Sequence, residues 1–160
     1  MRVEALKEHD WLRQLVGEWT YSFEAYAEPG QPPTIHTGTQ SIRPLGDIWI
    51  LSEGRGEFAD GATDLSQMTL GYDPVKQRFV GTYVGSMMTH LWVYEGTLDA
   101  ASHTLSLDCE GPGMTPDAKM AKYIDAIELK SADHWVLTSS VLGEDGQWTT
   151  FMTGHYLRVK

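Results

Sequence analysis

Leu12-Arg13-Gln14-Leu15-Val16-Gly17-Glu18-Trp19, running on into Thr20-Tyr21-Ser22-Phe23-Glu24-Ala25-Tyr26-Ala27-Glu28, is the stretch whose reading decides the fold. Upstream of Gly17, Val3, Leu6, Leu12, Leu15 and Val16 fall near helical spacing with charges between them, which predicts a modest amphipathic helix over residues 3–15. At Gly17 the period changes to two. Trp19, Tyr21, Phe23, Ala25 and Ala27 share one face of a strand, and Thr20, Ser22, Glu24 and Glu28 share the other. A helix halted by Gly and followed by a long alternating strand headed by Trp suits the start of a small closed antiparallel barrel. Glycine lets the chain turn sharply there, and the indole plugs one end of the barrel.

The rest of the chain continues the strand pattern. Pro29-Gly30-Gln31-Pro32-Pro33 is strong turn punctuation. Strands are predicted over residues 34–42, 48–58, 67–72 and 77–84, with Asp73-Pro74-Val75-Lys76 turning the clearest hairpin. Further strands are predicted over residues 90–98, 104–110, 121–129, 134–142 and 147–159. Gly54 and Gly56 suggest bends or bulges in the strand that holds them. The total is about nine or ten strands joined by short links. No link is long enough for a crossover helix, so sequence neighbours pair antiparallel. An open sheet of that size would expose two edges and one apolar face. Closure removes both problems, and hairpin connections favour a barrel over a sandwich. One domain over residues 1–160 is expected.

A formal net charge of −10 argues against nucleic acid or an anionic membrane as partner. The single cysteine, Cys109, excludes an internal disulfide framework and reads as a small buried residue in the strand Leu105–Glu110. The first ten residues contain no apolar signal-type segment, and no apolar run approaches the roughly 20 residues of a membrane-spanning helix. A soluble cytoplasmic protein is the expectation.

Gly17-x-Trp19 on the first strand and Tyr156-x-Arg158 on the last resemble the lipocalin and calycin signature, in which an Arg from the final strand packs over the first-strand Trp. Several ordered blocks further resemble the bacterial DUF1579 family. They are His9-x-x-Leu12-x-x-Leu15-Val16-Gly17-Glu18-Trp19, Gly71-Tyr72-Asp73-Pro74, Gly81-Thr82-Tyr83-Val84-Gly85-Ser86-Met87 and His90-Leu91-Trp92-Val93-Tyr94-Glu95-Gly96-Thr97-Leu98-Asp99. Asp145-Gly146-x-Trp148, Phe151-Met152 and Tyr156-x-Arg158 complete the set. The resemblance implies a calycin-like up-and-down barrel with a short N-terminal helix and an unassigned function. It brings no catalytic or ligand residues with it. The chain departs from the family pattern at Gly85 and at Gly154-His155.

No compact metal motif, nucleophile elbow or Cys–His signature stands out, and no cofactor is expected. The reading of function is a barrel that binds a small hydrophobic molecule in a mostly apolar interior. His90, Trp92 and Tyr94 share a face beside the Met87-Met88 turn, although Leu91 and Val93 compete for the interior and parity alone leaves both open. Trp49 and Tyr83 are further candidates for contact with the ligand, as is Met114 in the irregular loop Gly111–Asp117. Arg55, between two glycines, would meet an acidic headgroup if it points inward. Two alternatives stay open: an acid/base enzyme using His90 in the cavity, and a haem-binding barrel of nitrobindin type held through His155. A module that binds a partner through its outer wall, or a homodimer, is also compatible with the sequence.

Overall fold

One short helix and ten strands follow the predicted order, and the computed structural model describes residues 1–160 apart from Pro29 and Ala118. The turn expected at Pro29 therefore lies in part outside the described residues. Helix α1 spans Lys7–Arg13. The strands are β1 (Gly17–Ala25), β2 (Thr34–Leu45), β3 (Trp49–Glu57), β4 (Thr63–Asp73) and β5 (Arg78–Gly85), then β6 (Trp92–Asp99), β7 (Thr104–Pro112), β8 (Met120–Ser131), β9 (His134–Leu142) and β10 (Trp148–Arg158).

The helix is shorter than its apolar spacing predicts, for local reasons. The His9 ring accepts the Leu6 backbone N–H at Nδ1 (2.9 Å) and lies 3.0 Å from the Tyr72 carbonyl at Nε2. A nitrogen that accepts is unprotonated, so Nε2 carries the hydrogen and donates to Tyr72. This bond fixes the helix start, and Val3, upstream of it, is exposed with no core to meet. At the other end Gln14, Leu15 and Val16 each donate to the carbonyl three residues back, a tightening that ends the helix before β1.

Every strand pairs antiparallel with its sequence neighbours, and β1 pairs with both β2 and β10, so the sheet closes as an up-and-down barrel with no free edge. Closure sets Trp19 opposite Arg158, Tyr21 opposite Tyr156 and Phe23 opposite Gly154. Register shifts occur in β10 between Thr150 and Met152 and in β8 between Leu129 and Ser131. Pairing runs without a shift through Gly54 and Gly56, so no bulge lies there. Space explains Gly56 instead: a Cβ at that position would collide with the Tyr21 hydroxyl. Among the described residues no helix is long and apolar enough to cross a membrane.

Where the strands meet, the Arg158 guanidinium carbon sits 4.2 Å from the centroid of the Trp19 ring. Nη1 donates to the Val16 carbonyl (2.8 Å), Nη2 to the Gln14 carbonyl (3.1 Å), and both Nε and Nη2 to the Ala132 carbonyl. Trp19 Nε1 donates to the Leu15 carbonyl at 2.8 Å, while its ring is wholly buried and meets Trp135 edge-on. One cation thus joins the end of α1, the head of β1, the tail of β10 and the β8–β9 turn. Gly17 is bound up in the same joint. Its φ of +143° disfavours any side chain, and a Cβ there would collide with the Arg158 guanidinium.

Removing that joint has a definite expected cost. Arg158→Ala should destabilise folding by about 2–3 kcal/mol in urea denaturation, since charge-assisted bonds to three carbonyls disappear together. Arg158→Lys should restore less than half, because an ammonium cannot span the fork.

Candidate functional site

The alternation of each strand divides the interior into three zones along the barrel axis. At the α1 end Trp19, Leu70, Leu105 and Ile127 are almost completely buried, with Leu12 and Leu15 of the helix region closing over them. Above this floor lies a polar belt containing Gln40, Ser52, Ser139 and Asp125. Nearest the opposite end, Tyr21, Phe23, Tyr83 and Trp92 face inward and stay only half-buried. Apolar and aromatic side chains make up most of the interior, and the hydroxyl, amide and carboxyl groups of the belt interrupt them.

Asp125 is the centre of the belt. It lies deep in the barrel, between Tyr123 and Ile127 on the inner face of β8. The Tyr94 hydroxyl donates to Oδ2 at 2.5 Å and the Ser139 hydroxyl to Oδ1 at 2.6 Å. Burial raises the Asp125 pKa above the ordinary carboxylate value, and these two hydroxyls oppose the shift. Burial likewise lifts Tyr94 well above the usual phenol range, with the Asp125 charge adding to it. Tyr21 is pushed up to about 12, chiefly by burial and then by the charge of Asp64. Gln40 donates to the Ser52 hydroxyl in the same belt. Cys109 also faces this space. Burial pushes its thiol up to about 12, so it stays an un-ionised apolar group, as its strand setting suggests.

The residues singled out in the sequence divide between the two faces of the wall. Trp92 faces inward, 5.0 Å edge-to-face from Tyr123, with Nε1 directed at the Met88 sulfur. Tyr83 faces inward as well. Leu91 and Val93, which competed with them, are exposed. His90 precedes β6, meets the edge of Trp92 at 4.7 Å and lies 2.9 Å from the Glu110 carbonyl through Nε2. Met87 and Met114 are exposed in the links after β5 and β7, at the open end.

Trp49, Arg55 and His155 are corrections, because strand parity turns each onto the outer face. Trp49 lies against Gly71 from outside, and Arg55 is exposed between the inward-facing positions 54 and 56. His155 is exposed and stacks on His134, with its Nδ1 3.0 Å from the His134 Nε2. A haem inside the barrel would not reach that ring. Among the described residues no group of three His, Cys, Asp or Glu side chains is placed to hold a metal ion.

Sequence reasoning missed Asp125 and Ser139, although a signal was present. Tyr123, Asp125, Ile127 and Leu129 alternate along β8, and Trp135, Leu137, Ser139 and Val141 along β9. In each case one polar residue interrupts an otherwise apolar face. Two clefts also open at the α1 end. One of about 460 Å³ lies between the helix and the β5–β6 wall, lined by Trp11, Tyr72, Phe79 and Leu98, and the other borders Arg13 and Asp47.

The sign of the pH effect at Asp125 follows from its raised folded pKa. Folding binds a proton there at pH values where the unfolded chain has already lost it, so stability falls as pH rises through that interval. Asp125→Asn should flatten this fall and melt higher than the wild type at pH 8, with the advantage gone near pH 3. Thermal unfolding across pH checks it.

Comparison with known proteins agrees with this architecture. Rv2717c from M. tuberculosis, solved by crystallography, superposes with a TM-score of 0.70 at 12% identity, covering 98% of this chain and 100% of that one. A redesigned β-barrel, mFAP0, solved bound to DFHBI, superposes at 0.50 with 14% identity over 91% of this chain and 99% of that one. A fluorescence-activating β-barrel designed de novo matches at 0.50 with 14% identity, over 92% of this chain and 95% of that one. At such identities the likeness is one of fold alone. No curated protein matches the sequence. The profile of the family described as "Protein of unknown function (DUF1579)" matches residues 4–158, nearly the whole barrel, and the chain belongs to that family.

Proposed function

We propose that the barrel binds a small, largely apolar molecule, which enters at the end opposite α1 and comes to rest on the polar belt. The observation that carries this reading is the exposure of inward-facing side chains. Tyr21, Phe23, Tyr83 and Trp92 all point into the barrel, yet none is sealed from solvent. The floor residues, by contrast, are closed. A structure packed only for stability would fill both ends alike.

The chemistry of the open end suits such a ligand. Tyr83, Trp92 and Tyr123 present aromatic surface within, and Met87, Met88, Leu91 and Met114 form an exposed apolar lip without. Methionine is flexible and polarisable, so a lip of this kind adapts to ligands of differing shape. His90 stands at the rim against Trp92. A barrel of similar fold, mFAP0, is solved bound to DFHBI, a precedent for a small molecule on this scaffold.

The test uses Nile red, a neutral dye whose fluorescence rises in apolar surroundings. The wild type should enhance and blue-shift its emission saturably, while Ala121→Trp, which adds an indole to the inner face near the open end, should weaken binding at least tenfold. Arg55→Ala, on the outer wall, should leave it unchanged. Absence of saturable enhancement in the wild type, with no species co-purifying in native mass spectrometry, would overturn the reading.

A further inference from the structure

We propose that the ligand is an organic cation, an aromatic or apolar body bearing a protonated or quaternary nitrogen, with Asp125 as its counter-ion inside the barrel. The inference rests on the binding reading above and specifies its ligand class.

The charges facing the interior are of one sign. Asp125 lies in the belt, and Asp64 faces inward from β4 near the open end, where Ser86 approaches it at 3.4 Å. Among the described residues no Lys or Arg side chain joins them on the inner face, apart from Arg158. That guanidinium is committed at the floor to three carbonyls and to Asp133. Arg43, Arg55, Arg78 and Lys122 occupy outward positions of β2, β3, β5 and β8. His36, on the inner face of β2, is occupied edge-on with Phe58.

Asp125 is satisfied in hydrogen bonds but not in charge. Tyr94 and Ser139 give each oxygen one neutral donor and leave each a further lone pair. A carboxylate away from water keeps a large desolvation penalty unless a cation joins it. The chain provides no cation there, so the penalty is relieved either by a proton on the carboxyl or by a cation from outside, and in the proposed complex a bound organic cation displaces the proton. Tyr94 bonds Asp125 directly, and Tyr83 faces inward from the adjoining strand β5, which places aromatic groups beside the carboxylate. Aromatic faces attract cations, more strongly where water is excluded. Two further facts narrow the class. The described residues offer no three-ligand metal group, which favours a bulky organic cation over a bare ion. The net charge of −10 draws cations toward the mouth and repels anionic ligands.

A matched pair of probes tests the idea: benzyltrimethylammonium and its neutral isostere neopentylbenzene, each displacing Nile red. The wild type should bind the ammonium at least tenfold more tightly than the hydrocarbon. Asp125→Asn should erase that preference, so that the two probes displace Nile red alike, while the variant keeps a native circular dichroism spectrum, and Asp64→Asn should reduce it only in part. Equal binding of the two probes by the wild type, or a preference that survives in Asp125→Asn, overturns the proposal and leaves the binding reading standing. If Nile red itself fails to bind the wild type, the binding reading falls and this inference falls with it.

Discussion

Arg158 over Trp19 is the contact on which the remaining structure depends. An up-and-down sheet closes only if its last strand finds its first, at the longest sequence separation in the chain. Ladder bonds alone specify that meeting weakly, because a slip by two residues would preserve the alternation of faces. The guanidinium removes the ambiguity. It fits only where the Val16, Gln14 and Ala132 carbonyls converge beside the Trp19 indole, and it needs a Cβ-free position at Gly17. Register is thereby set at one end, and ten strands inherit it.

A seal at one end makes the barrel asymmetric. The helix, the two Trp rings and the aliphatic floor concentrate packing where closure is decided. The far end is relieved of that duty, and there side chains face inward without being enclosed. Polar groups lie between the two, bonded to one another. Stability and accessible interior are thus divided along the axis rather than shared by every layer.

What the sequence makes legible follows the same division. The change of period at Gly17, the paired Trp19 and Arg158, the hairpin at Asp73-Pro74 and the absence of crossover links suffice for closure and strand order. The interior is harder, because alternation names two faces without saying which is inside. For β6 the choice between Trp92 and Val93 is settled only by pairing with β5, where Trp92 lies opposite the inward-facing Tyr83. Trp49, Arg55 and His155 carry chemistry attractive enough to suggest a pocket, yet parity sets all three outside. Asp125 illustrates the opposite error. A carboxylate within a strand ordinarily marks the solvent face, so an acid on the inner face is passed over until its neighbours Tyr123 and Ile127 are seen to be buried.

That acid is also the feature least explained by folding. Tyr94 and Ser139 each contribute a hydrogen bond to the charged group, worth roughly 1.5–3 kcal/mol net, while removing a carboxylate from water costs roughly several kcal/mol. An apolar side chain at position 125 would continue the Tyr123–Ile127–Leu129 face and pack against Leu107 across the β7 pairing. Local consistency of the strand favours such a residue, and natural chains break local consistency chiefly where function requires it. The hydroxyls do not remove the charge; they orient it. In the binding proposed above, a carboxylate held by two fixed donors has its geometry settled in advance, so little ordering remains for the ligand to supply.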